Sequence, residues 1–287
     1  MAEASLASRR GGFLGRAVRH PSLVAGGSLT ILLLAIGLVS LAWTPGSPTR
    51  IVIRERLLPP GPVHWLGTDL FGRDVASMLM AGAQTSILVG TVAVVLGLLI
   101  GCALGLTAAA RGGWVDEAIM RLSDFAFAFP AVLLAILLAT AFGAGTTNAV
   151  LAIGLFNVPV FARLTRGSAR AVWTRDYVLA ARACGKRGLR ITVEHVLPNI
   201  LAVLLVQATV QFAIAILAEA GLSYLGLGTQ PPTPSWGRML NDSQTLLYQA
   251  PRLAVFPGLA IMLSVLGLNL LGDGLRDLLD PRLARLR

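Results

Sequence analysis

The side chains able to do chemistry are few in this 287-residue sequence, and their spacing excludes most reactions at once. Nucleotide hydrolysis through a phosphate loop needs Gly-x-x-x-x-Gly-Lys followed by Ser or Thr, so that backbone N–H groups and the lysine cradle the phosphates. The only lysine, Lys186, follows Gly185, but Ala180 stands at the first glycine position and Arg187 comes next. Gly101 and Gly105, and the glycines around 222–228, lie in apolar sequence without the strand-to-helix context of a dinucleotide site. His20, His64 and His195 fall on three separate segments, so they make neither a metal site nor a triad. No serine occupies a Gly-x-Ser-x-Gly elbow. Cys102 sits in an apolar run and Cys184 in a basic segment, which disfavours a disulfide, and two thiols without a neighbouring histidine make a poor zinc site. The expectation is a chain that is no enzyme and holds no cofactor or metal of its own.

A carrier driven by an ion gradient needs ionisable groups near the membrane midplane. The apolar runs carry none: Glu219 stands just past the fifth, and Asp124 and Asp273 border the third and sixth. Interfacial placement accounts for all three. Energy for any transport must then come from outside the chain. The one segment suited to receive it is 163–199, RLTRGSARAVWTRDYVLAARACGKRGLRITVEHVLPN, far longer than an ordinary helix connection. Thr174 is placed to cap a short helix. Tyr177, Ala180, Ala181 and Cys184 recur at spacings of three and four, giving that helix a small, mildly apolar face. Gly185 suits a left-handed end, and Pro198 the first turn of the next span. Such a face lets another protein approach the backbone closely, while Arg175, Arg182, Lys186 and Arg187 offer charge to the rim of its groove. The alternative is a solvated amphipathic loop held by lipid phosphates.

The elements that must position this segment are membrane helices. Of the residues, 55% are apolar and 13% charged, against roughly 45–50% and 25% for a soluble domain. Lipid as solvent accounts for the difference, because a helix bundle exposes leucine and valine to it without penalty. A net charge of +10 raises nucleic acid as a partner, but the positive residues are interleaved with apolar runs and form no basic domain. A hydrocarbon core about 30 Å thick needs about 20 residues of helix, and six runs qualify: 23–43, 85–110, 125–142, 148–162, 196–218 and 254–271. The first follows Arg9, Arg10, Arg16 and Arg19 yet exceeds a signal-peptide core and lacks a small-residue cleavage site, so it reads as a retained span. The fourth is short and carries Pro159; without it the arginines after Phe161 would fall on the wrong side. With both termini inside, 18 of the 24 basic residues are cytoplasmic, and four of the other six share one long exterior loop.

Two exterior segments stand apart. Residues 44–82 contain His64-Trp65-Leu66-Gly67-Thr68-Asp69 and Gly72-Arg73-Asp74, where Asp69 or Thr68 is placed to cap a short helix leading into the second span. Residues 219–252 are rich in glycine and proline and hold Tyr224, Trp236 and Tyr248, side chains suited to the membrane interface.

On these residues the chain resembles the permease family of binding-protein-dependent ATP-binding-cassette importers. Ala180-Ala181, Gly185 and Leu197-Pro198 are similar to its cytoplasmic coupling signature, with Leu179 where a glutamate usually stands. Leu66-Gly67-Thr68-Asp69 with Gly72-Arg73-Asp74 resembles the exterior motif of the second permease in the dipeptide, oligopeptide and nickel group. So do AEAGLSYLGLGTQPPTPSWGRML from residue 218 and the NLLGDGLRD and Asp280-Pro281-Arg282 stretches near the C-terminus.

The resemblance implies an all-α, polytopic helical bundle of about six spans with the type I importer permease architecture, termed MetI-like. It also implies residence in a bacterial inner membrane. Residues 1–83 then hold the tail, first span and exterior loop. Residues 84–287 form the core transmembrane domain, with coupling loop 163–196 and a C-terminal tail. Implied partners are a homologous second permease, two cytoplasmic ATPase subunits that bind ATP and Mg²⁺, an exported solute-binding protein and the lipid membrane, with no nucleic acid. Thr174, Tyr177, Ala180, Ala181, Arg182, Cys184, Gly185, Lys186 and Arg187 would meet an ATPase, and Asp69, Arg73, Asp74, Glu219 and Trp236 would face the exterior or the binding protein. Short peptides are the expected solute, with nickel complexes or other small solutes as family alternatives. An ion-coupled carrier and a non-transporting membrane anchor are the readings from other classes.

Overall fold

Pro21 opens the first helix, α1 (Pro21–Ala42), at a position where its missing N–H costs nothing. The computed structural model describes residues 20–279. Arg9, Arg10, Arg16, Arg19 and the Asp280-Pro281-Arg282 stretch lie outside the described residues.

From residue 43 the chain folds an irregular loop that ends where Asp74 caps α2 (Val75–Arg111), its carboxylate accepting the Ser77 N–H at 2.8 Å. This corrects the expected cap. Asp69 instead closes a turn by accepting the N–H groups of Phe71 and Arg73, at 2.9 and 2.8 Å, and Thr68 pairs across it with Asp74 as an isolated bridge. Because the cap lies so early, α2 has 37 residues and is roughly 55 Å long, well beyond the hydrocarbon core. Gly112, at φ +63°, turns the chain into α3 (Gly113–Phe127).

The third expected span is not one helix. It is α3 and α4 (Ala131–Phe142), bent by 78°. Pro130 supplies the reason, since its ring disfavours helical geometry at Phe129 and it has no N–H to continue the ladder. The expected fourth span is longer than its apolar run: α5 (Thr146–Trp173) encloses Pro159 and continues through the arginines. A short α6 (Asp176–Ala183), a single turn α7 (Gly188–Ile191) and a π turn (Thr192–Val196) lead into α8 (Leu197–Tyr224). Then follow α9 (Trp236–Ser243) and α10 (Arg252–Leu279). Among the described residues, five stretches are long and apolar enough to cross a membrane, or six with the bent pair counted as one.

Lipid gives helices no hydrophobic reason to associate, so close approach of backbones decides which pairs form. Along α2, Gly97, Gly101 and Gly105 recur every fourth residue against α5; a Cβ on Gly101 would lie 2.5 Å from the Val158 carbonyl oxygen. This is the most extensive helix pairing in the bundle. On the other side, Gly267 and Gly274 of α10 admit Leu29 and Leu23 of α1. Segments 43–74, 143–145 and 225–251 gather at one end of the bundle, and α6, α7 and the arginines that end α5 lie at the other.

Candidate functional site

At the arginine-rich end the chain leaves α5 and turns back on itself. Trp173 ends α5, and the Thr174 hydroxyl donates backward to the Ala171 carbonyl at 3.2 Å. Thr174 therefore closes α5 and does not cap α6; that position belongs to Arg175, and Asp176 supplies the negative charge that the first turn favours. The far end of α6 matches expectation. Gly185 has φ +80°, and its N–H and that of Lys186 donate to the carbonyls of Arg182 and Ala181, at 3.0 and 3.1 Å. These two bonds satisfy carbonyls the helix would otherwise leave open. A Cβ on Gly185 would meet no atom within 4 Å, so the demand for glycine comes from the backbone angle alone.

Two residues seat α6. Val178, 1% exposed, and Ala181 pack with Ala169, Trp173, Ile191 and Val196. The expected face of Tyr177, Ala180, Ala181 and Cys184 is thus split. Ala181 turns inward with Val178, and the outer surface consists of Tyr177, Ala180, Ala183 and Cys184 with Leu179 beside them. Leu179, at the position of the family glutamate, is half exposed.

The cations divide as well. Lys186 Nζ donates to Glu194 Oε2 at 2.6 Å and lies 3.1 Å from His195 Nε2, so it braces the segment. Arg190 holds the other oxygen of Glu194. Arg182 lies over the Trp173 ring, 5.4 Å from its centroid. Among the described residues, Arg175 and Arg187 form no ion pair and are exposed.

A second set of charges ties this segment to the bundle, and the sequence reading missed it. Asp116 of α3, nearly buried, takes both Arg166 and Arg170 of α5: Arg166 Nη2 and Arg170 Nη2 each lie 2.7 Å from Oδ2, and Arg166 Nε meets Oδ1. Arg163 pairs with Asp124 and covers the Phe127 ring at 4.3 Å. The available signal was the run Arg163, Arg166 and Arg170, one face of a helix facing Asp116 and Asp124.

At the loop end the residues expected to face outward are inside. Asp74 is nearly buried and also bound by His64 Nδ1 at 2.9 Å. Arg73 joins Asp69 to Asp242, at 2.6 and 3.2 Å. The Trp236 indole N–H donates to the Leu79 carbonyl at 3.0 Å, where Gly82 leaves room for the ring. Glu219 is 0% exposed, with its Oε1 accepting the hydroxyls of Ser223 and Thr229 at 2.6 and 3.2 Å. It is enclosed by protein and not presented outward, because α8 runs on to Tyr224 and the 225–235 segment folds over it. These five side chains hold the loop end together.

Residues 93–285 match the family model described as binding-protein-dependent transport system inner membrane component. The glutathione transport system permease protein GsiD of Pectobacterium atrosepticum is 41% identical over 272 residues, covering 94% of this chain and 90% of that protein. The dipeptide transport system permease protein DppC of Alkalihalophilus pseudofirmus is 46% identical over 229 residues, covering 80% and 75%. Among solved structures, an inward-facing conformation of the MetNI methionine ABC transporter has a TM-score of 0.58 at 18% identity, covering 71% of this chain and 97% of that one. At that identity the likeness concerns the fold.

Proposed function

The chain belongs to the binding-protein-dependent transport system inner membrane component family, and from that premise we propose that it forms half of an ATP-driven import pathway for short peptides, moved through α6. The observation that carries this reading is the construction of α6: an eight-residue helix anchored inward by Val178, closed at Gly185, and presenting Tyr177, Ala180 and Cys184 outward. A helix so seated behaves as a rigid knob on the end of α5, and load applied to it passes into the bundle. Arg175 and Arg187 flank the knob as charges for the rim of a cleft.

In this reading the arginine-rich end is cytoplasmic, in keeping with retention of positive charge on that side. Two ATPase subunits bind ATP and Mg²⁺, and their closure displaces α6 of this chain and its counterpart in a homologous second permease. Rigid movement of the two bundles then switches access between the faces. An exported binding protein delivers solute to the loop end. Peptides are the favoured cargo because the relatives are named for dipeptides and for glutathione, itself a peptide.

Reconstitution tests the proposal. The chain, second permease, ATPase pair and binding protein in proteoliposomes should take up a labelled dipeptide only with ATP. Ala180→Trp, which puts a bulky ring on the outer face of α6, should abolish solute-stimulated hydrolysis. Preference for a nickel complex over dipeptides would move the assignment within the family. Uptake by this chain alone under a proton or sodium gradient would overturn it.

A further inference from the structure

Two cavities are lined almost wholly by apolar side chains, as expected of gaps between membrane helices, and a small one beside Asp69, Arg73 and Asp242 belongs to the ion pairs already described. One at the loop end differs. It has a volume of about 400 Å³ and lies between Thr49, α2, the start of α5 and the 232–234 turn, within the roughly 300–1,000 Å³ typical of small-molecule sites. Gln84 and Thr85 of α2, Thr146 at the start of α5, and Thr49 and Thr233 of the loops line it. None of its lining residues is charged.

Two observations argue that this space holds a polar guest and not lipid. Gln84 is exposed at the loop end of α2, one residue before its apolar run, where its amide donors and acceptor need polar partners that lipid tails would not supply. Thr91, two turns further along α2 and beyond the exposed Leu88, is exposed too. The walls are also held in place from behind. The Thr85 hydroxyl donates to the Pro234 carbonyl at 3.0 Å, fixing the turn. The Thr146 hydroxyl donates to Thr229 at 3.2 Å, and Thr229 in turn to the buried Glu219 at 3.2 Å. Glu219 thereby positions the cavity wall through two hydroxyls without touching the guest.

We propose that this cavity is a transit subsite for the solute, where Gln84, Thr49 and Thr233 exchange hydrogen bonds with the amide N–H and C=O groups of a short peptide, while Thr85 and Thr146, whose hydroxyl protons are already donated, act only as acceptors. The inference rests on the import function proposed above. A neutral, hydrogen-bonding lining reads the peptide bond and is indifferent to side-chain charge, so cationic, anionic and neutral dipeptides use it alike.

The test uses the complete complex in proteoliposomes. Gln84→Cys should react with a membrane-impermeant thiol reagent from the loop side much faster than Leu32→Cys on the outer surface of α1, and a dipeptide present during turnover should slow that labelling. Losing one neutral hydrogen bond should lower maximal uptake by about three- to tenfold in Gln84→Leu, equally for alanyl-alanine, lysyl-alanine and aspartyl-alanine, with Gln84→Asn restoring part of it. If the parent complex imports dipeptides but Gln84→Cys labels no faster than Leu32→Cys, or labels without solute protection, the subsite is wrong while the import function stands. If Gln84→Leu instead reduces the second permease that co-purifies, this wall is a subunit contact and the proposal fails. A parent complex that imports no peptide overturns the functional reading itself.

Discussion

Asp116 Oδ2 lies 2.7 Å from Arg170 Nη2, joining α3 to the last turns of α5 just before the chain enters α6. The same carboxylate holds Arg166, so a single nearly buried acid fastens two arginines on one helix face. In the coupling proposed for α6, load would therefore reach both the long α2–α5 pair and the bent α3–α4 pair.

Asp116→Ala should loosen that fastening. It removes the acid from two arginines that keep partial access to water, so the loss is set at about 1–3 kcal/mol, below that for a fully buried pair. The expected result is a lower melting temperature of the purified complex and weaker solute-stimulated ATP hydrolysis. Unchanged values for both would remove Asp116 from the transmission route.

Gly185 gives a sharper contrast. A non-glycine residue in the left-handed region costs roughly 1–2 kcal/mol, with asparagine tolerated best. Because nothing among the described residues crowds the position, Gly185→Asn should keep most solute-stimulated hydrolysis and Gly185→Val should lose most of it. Equal activity in the two variants would show that the left-handed closure is not what coupling needs.

Both residues illustrate what the sequence makes legible. Gly185 follows a short periodic run, and a left-handed end is its simplest local use; five of the six apolar runs likewise declare unbroken membrane helices, because lipid demands about 20 residues of helix each. Asp116 is different, since its value depends on α5 returning past α3. Ala181 and Cys184 show the same limit on a small scale: both belong to one apolar set in sequence, but which one turns inward depends on Trp173, Ile191 and Val196. Glu219 shows it most clearly. A rule that ends a span at the first charge stops at Ala218, whereas hydroxyls of Ser223 and Thr229 let the helix carry the acid inside. Likewise Pro130 lies within an unbroken apolar run, and only the geometry shows that it splits the span by 78°.

The Lys186 brace should be separable from docking. Glu194→Gln weakens the hold on Lys186 and Arg190 at an exposed site, where water screens such pairs and leaves them a small contribution. The expected outcome is a small loss of complex stability with ATPase binding largely kept. Arg175→Glu, at an unpaired rim position, should instead weaken co-purification of the ATPase with little effect on melting. If Glu194→Gln abolishes ATPase binding and Arg175→Glu does nothing, the two roles have been assigned the wrong way round.

Glu219 tests the opposite end. Glu219→Gln keeps an acceptor for the Ser223 and Thr229 hydroxyls at nearly the same volume, so melting should shift little. Glu219→Ala leaves two buried hydroxyls without their acceptor and a void beneath the 225–235 segment, at a cost of about 2–4 kcal/mol. That difference should appear as reduced melting temperature and faster proteolysis within 225–235. If alanine is as stable as glutamine there, the carboxylate does not anchor the segment.

The last prediction concerns the glycine stripe that joins α2 to α5. At Gly101 a Cβ would stand 2.5 Å from the Val158 carbonyl oxygen and 2.7 Å from the Phe161 Cβ, so the backbones themselves must separate to admit any side chain. Gly27 of α1 is the comparison, because a Cβ there meets nothing within 4 Å. Helix propensity alone would make alanine favourable at both sites by roughly 1 kcal/mol. Gly27→Ala should accordingly hold or raise the melting temperature, while Gly101→Ala should lower it, and Gly101→Leu should prevent assembly of a stable chain. Since α5 carries Arg166, Arg170 and the entry to α6, a displaced α5 should also lower solute-stimulated hydrolysis in Gly101→Ala. A stabilising Gly101→Ala would mean that close backbone contact is not what orders this bundle.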